Sequence, residues 1–160
     1  MIQRAYIDTS VIGGCLDIEF KEWSDRLFNE FKNGYKIAVI SDVTLDELEL
    51  APKRVQEIIK SIPYKFLEIV ESNLETEQLA KQYILRGVVD MKFYLDALHI
   101  AIATCFNVNV LASWNFKHIV NLDRIRKYNS VNIEQGYKIL EIRSPRDILK
   151  VDENEKNERF

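Results

Sequence analysis

The 160-residue sequence predicts an α/β fold, a three-layer sandwich with a mostly parallel central sheet. Three observations predict it. Short apolar runs of strand length alternate along the chain with longer runs whose apolar residues recur at helical spacing. The first apolar run stops at an acid followed by two hydroxyls, and the same strand-to-polar turn returns late in the chain at Ser113-Trp114-Asn115. No internal repeat or linker breaks the alternation. Strands separated by helices need crossover connections, which set neighbouring strands parallel and cover both faces of the sheet.

Taken in order, residues 3–7 read as a buried strand that ends at Asp8, with Thr9 and Ser10 next. An acid there can cap a following helix, and it also stands at the carboxyl edge of the sheet, where α/β folds bind ligands. A brief helix is expected over 11–16. Gly13 and Gly14 weaken it by roughly 1 kcal/mol each relative to Ala and read as a turn rather than a close backbone approach.

Residues 19–32 form the clearest amphipathic helix. Phe20, Trp23, Leu27, Phe28 and Phe31 share one side, opposite Lys21, Glu22, Asp25, Arg26, Glu30 and Lys32. The aromatic stripe reads as core, and Asn33-Gly34 closes the helix. A strand follows over 35–40. Ser41 or Asp42 caps the next helix, which turns Leu45 and Leu48 inward and carries Glu47 near its start. Pro52 opens a helix with Val55, Ile58, Ile59 and Ile62 inside, and Pro63 ends it.

Residues 66–70 read as a strand. Ser72-Asn73-Leu74-Glu75 matches a capping box for a helix with Leu79, Ala80, Tyr83 and Ile84 inside, stopping at Gly87. The next helix starts a few residues before Asp96 and is apolar nearly all round, so it belongs against the sheet, with an acid in its first turn. A strand over 108–112 leads into Ser113-Trp114-Asn115. Lys117, His118, Arg124, Arg126 and Lys127, interleaved with Trp114, Phe116 and Tyr128, make a basic cluster readable as a solvated face or as a phosphate-contacting patch. Residues 137–142 are expected to be the last strand. One domain over 1–149 and a charged, disordered tail over 150–160 complete the expected organisation.

Composition bounds the function. A net charge of −3 argues against a non-specific polyanion binder. Cys15 and Cys105 have no metal or redox spacing and point to a reducing, cytoplasmic setting. The apolar stretch over 97–114 is interrupted by His99, Thr104, Asn107 and Asn109, so it reads as a buried helix and strand rather than a membrane span. There is no glycine-rich phosphate loop.

In a parallel α/β sheet, strand ends and helix starts share one edge. Asp8 and Asn115 end strands, and Glu47 and Asp96 begin helices. Three carboxylates brought together there need a counter-charge. A hard divalent cation, Mg2+ or Mn2+, takes oxygen ligands, keeps open water positions and suits phosphate chemistry. Asp8, Glu47 and Asp96 are the candidate metal ligands, with Asn115 as a fourth member of the catalytic set. Thr9 and Ser10 are candidates for holding a metal-bound water or the substrate, and Lys117 and Arg124 for steering a phosphate backbone. His99, three residues after Asp96, reads as a packed core histidine bonded to backbone.

The residues that carry this pattern are Tyr6-Ile7-Asp8-Thr9-Ser10, Ser41-Asp42-Val43-Thr44-Leu45-Asp46-Glu47-Leu48, Asp96-Ala97-Leu98-His99-Ile100-Ala101-Ile102-Ala103 and Leu111-Ala112-Ser113-Trp114-Asn115-Phe116-Lys117-His118. In that order they resemble the PIN-domain family, over most of the chain to about residue 149. The resemblance implies a PIN-like fold and a Mg2+- or Mn2+-dependent ribonuclease that hydrolyses RNA phosphodiester bonds, often the toxin of a VapC-type toxin–antitoxin pair. It implies an antitoxin protein partner, a homodimer and no membrane. The family's acids fall on Asp8, Glu47 and Asp96. Its fourth position, commonly Asp, is Asn115 here, whose amide oxygen can orient a water but brings no charge. Two rivals remain. One is a catalytically silent PIN-like domain that binds RNA or protein. The other is a receiver-like signalling domain, which wants a second acid where this chain has Thr9.

Overall fold

The computed structural model describes residues 1–150. The tail expected over 150–160 therefore lies, Lys150 apart, outside the described residues. Lys150 itself is held: its N–H donates to Glu30 Oε1 at 2.7 Å.

The elements are β1 (Gln3–Ile7), α1 (Thr9–Gly14), α2 (Lys21–Lys32), β2 (Lys36–Ser41), α3 (Asp42–Glu49), α4 (Lys53–Lys60), β3 (Leu67–Val70), α5 (Leu74–Leu85), α6 (Tyr94–Cys105), β4 (Val110–Ala112), α7 (Leu122–Glu134) and β5 (Ile142–Arg143), with short 3-10 turns at Tyr64–Phe66, Met91–Phe93 and Pro145–Ile148. The five strands lie in the order β3-β2-β1-β4-β5, and every pairing is parallel. The period of two in a strand sorts the core into two layers. Tyr6, Val39 and Leu111 face α5, α6 and α7. Ala5, Ile7, Ala38, Ile40, Val110 and Ala112 face α1, α2 and α4. Every residue over 97–104 of α6 is buried, as its all-round apolar sequence predicts. No helix among the described residues is long and apolar enough to cross a membrane.

Several local expectations need correction. The last strand shrinks to two residues because the Asn129 side chain stands in for a partner strand. It accepts from Leu140 N at 2.7 Å and donates to Leu140 O at 3.0 Å. The cap of α5 is Asn73 with Thr76, because Ser72 is drawn away to Asp42, which accepts from its N–H at 2.8 Å and its hydroxyl at 2.5 Å. Leu45 is 37% exposed, since α3 starts at Asp42 and so presents Val43, Thr44 and Leu48 to the core. Gly14 is a close approach rather than a free turn: a Cβ there would meet Ser24 Oγ and lie 2.7 Å from Trp114 Nε1. Gly13 has open space around it. Gly34, at φ +76°, ends α2 in the left-handed conformation that Asn33-Gly34 predicts.

Candidate active site

The order of the strands reverses at β1. The chain runs outward through β2 and β3, then returns to lay β4 on the other side of β1. Such a reversal opens a crevice at the carboxyl ends of the two strands, and Asp8 stands at its lip. Asp8 caps α1 by accepting from Val11 N at 3.4 Å. Its two oxygens also take hydroxyl hydrogen bonds, Oδ1 from Ser10 at 2.5 Å and Oδ2 from Ser113 at 2.6 Å. The same hydroxyls tie the turn after β4 to β1, because Ser10 Oγ accepts from Trp114 N and Ser113 Oγ accepts from Asn115 N, both at 2.9 Å. Asp8 is both a cap and a buried carboxylate, 5% exposed. Burial pushes its pKa up, against the opposing pull of His99 and the hydroxyls of Ser10 and Ser113. Ser113, fully buried, belongs to the site, although sequence reasoning noted only the turn it starts.

Asp96 lies in the first turn of α6 and is half-buried. Burial raises its pKa first, and the nearby charges of Asp8 and Glu47 push the same way, while His99 and His118 oppose them. Asp8 and Glu47 thus lie near enough to Asp96 to raise its proton affinity. Glu47 is nevertheless engaged elsewhere: its Oε1 lies 2.6 Å from His99 Nε2. His99 is packed, but its partners are side chains rather than backbone, with Nδ1 2.6 Å from the Tyr6 hydroxyl. Among the described residues, no three His, Cys, Asp or Glu side chains lie close enough together to hold a metal ion.

Asn115 serves the turn. Its Oδ1 accepts from His118 N at 2.9 Å. The basic cluster divides. Trp114 and Tyr128 are core residues, and Trp114 stacks on Phe20 with ring centroids 4.2 Å apart. Lys127 pairs with Asp123 at 3.0 Å, and Arg124 donates to the carbonyl of Val88. Lys117 is exposed. His118 is buried, stacks on Phe93 at 3.7 Å and leaves Nδ1 without a partner. Its pKa is lowered by burial first, with Lys117, Arg124 and Lys92 adding to the effect and Asp96 opposing it. Lys117, Arg124 and Lys92 therefore lie near His118, and Lys92 joins those singled out in the sequence.

Asp8 and Asp96 supply oxygen donors of the kind a hard cation takes. The Asp8 carboxylate adds to the burial that raises the proton affinity of Asp96, and the buried hydroxyl of Thr9, next to Asp8 in the chain, has no hydrogen-bond partner. Mg2+ needs only one or two carboxylates, with waters and substrate phosphate completing its shell.

No protein-family profile matches the sequence, and no curated protein matches it. Solved structures do. The chain is similar to Mycobacterium tuberculosis VapC20, a sarcin-ricin-loop-cleaving toxin, with a TM-score of 0.56 and 11% identity over 71% of this chain and 92% of that one. It is also similar to VapBC2 from Rickettsia felis bound to a DNA fragment from their promoter, with a TM-score of 0.56 and 16% identity over 89% of this chain and 98% of that one. At these identities the likeness is one of fold: the chain has the PIN-like α/β fold of VapC-type structures.

Proposed function

We propose that this chain is a divalent-metal-dependent endoribonuclease that hydrolyses RNA phosphodiester bonds as the toxin of a toxin–antitoxin pair. The observation that carries the reading is the pair of carboxylates at the crevice where the strand order reverses, Asp8 buried and Asp96 half-buried, each with its proton affinity raised by burial. The fold shared with VapC20, described as a sarcin-ricin-loop-cleaving toxin, supports it. Asp8 and Asp96 would hold Mg2+ or Mn2+, with Glu47 alongside. A cation there supplies Lewis-acid stabilisation of phosphoryl oxygens and lowers the pKa of water. The chain's own part is positional. Ser10 and Ser113 fix the Asp8 carboxylate, Thr9 keeps a buried, unpartnered hydroxyl next to it in the chain, and Lys92, Lys117 and Arg124 would draw in the RNA backbone. The likeness to VapBC2 supports an antitoxin partner, and a homodimer in the cytoplasm accords with the family resemblance.

The test compares cleavage of RNA in Mn2+ by the chain and by Asp8→Ala. Cleavage by the first and not the second is expected; no cleavage by either, at saturating Mn2+, sinks the enzyme reading. A second reading, a silent PIN-like domain that binds RNA or protein, draws on Asn115, which brings no charge and spends its oxygen on the turn. Retained RNA binding without cleavage would favour it.

A further inference from the structure

Behind Glu47 runs a buried file of hydrogen-bonding side chains that holding a cation does not by itself require. Ser41 Oγ lies 2.8 Å from Tyr6 Oη, Tyr6 Oη lies 2.6 Å from His99 Nδ1, and His99 Nε2 lies 2.6 Å from Glu47 Oε1. The members come from separate elements: Tyr6 from β1, Ser41 from the end of β2, His99 from α6 and Glu47 from α3. Ser41 and Tyr6 are fully buried, and His99 is 2% exposed. The file has a direction. A carboxylate only accepts, so His99 Nε2 carries the hydrogen in this contact. A ring singly protonated at Nε2 leaves Nδ1 bare to accept the Tyr6 hydroxyl proton, and the Tyr6 oxygen then accepts from Ser41. Burial keeps the Tyr6 phenol protonated. A glutamate on a helix surface otherwise samples many rotamers, whereas every rotor behind this one is locked in the core.

We propose that His99, oriented by Tyr6 and Ser41, is a positioning residue that fixes Glu47 through Oε1 and leaves Oε2 as the oxygen offered to the crevice beside Asp96. The proposal rests on the reading of that crevice as a cation site. It differs from the packed-histidine role in that the imidazole acts through a second residue on the site's chemistry.

The test uses the full chain with His99→Leu, His99→Gln and Tyr6→Phe, each alone and combined with Glu47→Gln. Mn2+ affinity is measured by calorimetry, and kcat and KM are measured on RNA. His99→Leu is expected to weaken Mn2+ binding or lower kcat by roughly 10–100-fold, the usual effect of removing a partner that orients a ligand, with KM little changed. His99→Gln, which returns a donor near the Nε2 position, should recover most of the loss, and Tyr6→Phe should fall between the two. With Glu47→Gln in place the same changes should alter affinity by less than about twofold, because coupled residues lose their effects together. Equal losses in both backgrounds, or no loss in His99→Leu, would overturn the proposal. Imidazole 15N shifts of the metal-free chain give a readout independent of catalysis. They should show Nε2 protonated and Nδ1 bare, with both signals moving in Tyr6→Phe and in Glu47→Gln. If the chain cuts no RNA but these signals behave so, the ribonuclease reading fails and the positioning stands. If it cuts RNA and Nε2 carries no proton, the positioning fails alone.

Discussion

Asp96 faces two other carboxylates from a half-buried seat and accepts no side-chain hydrogen bond among the described residues. Its folded pKa is raised, chiefly by burial, so ionisation costs more in the native state than in the unfolded chain. The sign follows from linkage. Whatever stability the neutral acid allows is fully present below the unfolded value of about 3.9, and it is lost as pH rises through the higher folded value. Asp96→Asn should therefore raise the melting temperature of the metal-free chain at pH 7, and the gain should shrink towards zero as pH falls below about 4. Thermal melts in chelator across that range check it; a gain that persists at low pH would place its origin outside the carboxylate charge. Asn115 makes a contrasting case. Its oxygen holds the His118 N–H, so Asn115→Ala should cost about 1 kcal/mol of stability, while Asn115→Asp, which keeps an acceptor there, should cost little. Denaturant melts of the two variants separate these outcomes.

At the scale of elements, the helices and the first strand were legible because their signals are local. The period of 3.6 over residues 19–32, the all-round apolar run over 97–104 and the strand stopping at Asp8 each lie within one window of sequence. What sequence did not show depends on partners far away in the chain. Ser113 reaches Asp8 across 105 residues, and His99 reaches Tyr6 and Glu47 across 93 and 52. No periodicity encodes such meetings. The last strand was overread for the same reason, since the Asn129 amide that replaces its ladder sits 11 residues earlier on a helix. Gly14 shows how tertiary context reverses a local rule. On helix propensity alone Gly14→Ala gains about 1 kcal/mol. The added methyl, however, meets Ser24 and Trp114, whose side chains are bonded to each other at 2.9 Å and are buried. Overpacking of this kind costs about 1–3 kcal/mol, so Gly14→Ala should be net destabilising. Because Trp114 N also donates to Ser10, the variant should disturb the turn that carries Ser113 and Asn115 as well. A drop in denaturant midpoint with a shifted Trp fluorescence maximum is the expected result, and a stabilised variant would contradict it.

For the whole molecule, the topology decides where chemistry can happen. The order β3-β2-β1-β4-β5 puts β1 at the centre, and only there do the carboxyl ends of two strands part in opposite directions along the chain. Asp8 from β1 and the turn after β4 meet at that point, while Asp96 arrives from α6 against one face and Glu47 from α3 at the end of β2. The hydroxyls of Ser10 and Ser113 join the two strand ends, so the site and the core share the same contacts. A cation held there binds the native chain and not the unfolded one, in which Asp8 and Asp96 are 88 residues apart in sequence. Mass action then stabilises the fold by about 2.7 kcal/mol at a hundredfold excess over Kd. For a chain of this size that is a rise in melting temperature of roughly 5–10 °C. Mn2+ should produce such a rise in the wild-type chain and chelator should reverse it. Glu134→Ala, which removes an exposed acid paired with Arg86 on the far helices, should keep it in full. Asp8→Ala should abolish it. An equal rise in Asp8→Ala would mean that Mn2+ binds elsewhere on the surface, and the crevice would lose its claim to the metal.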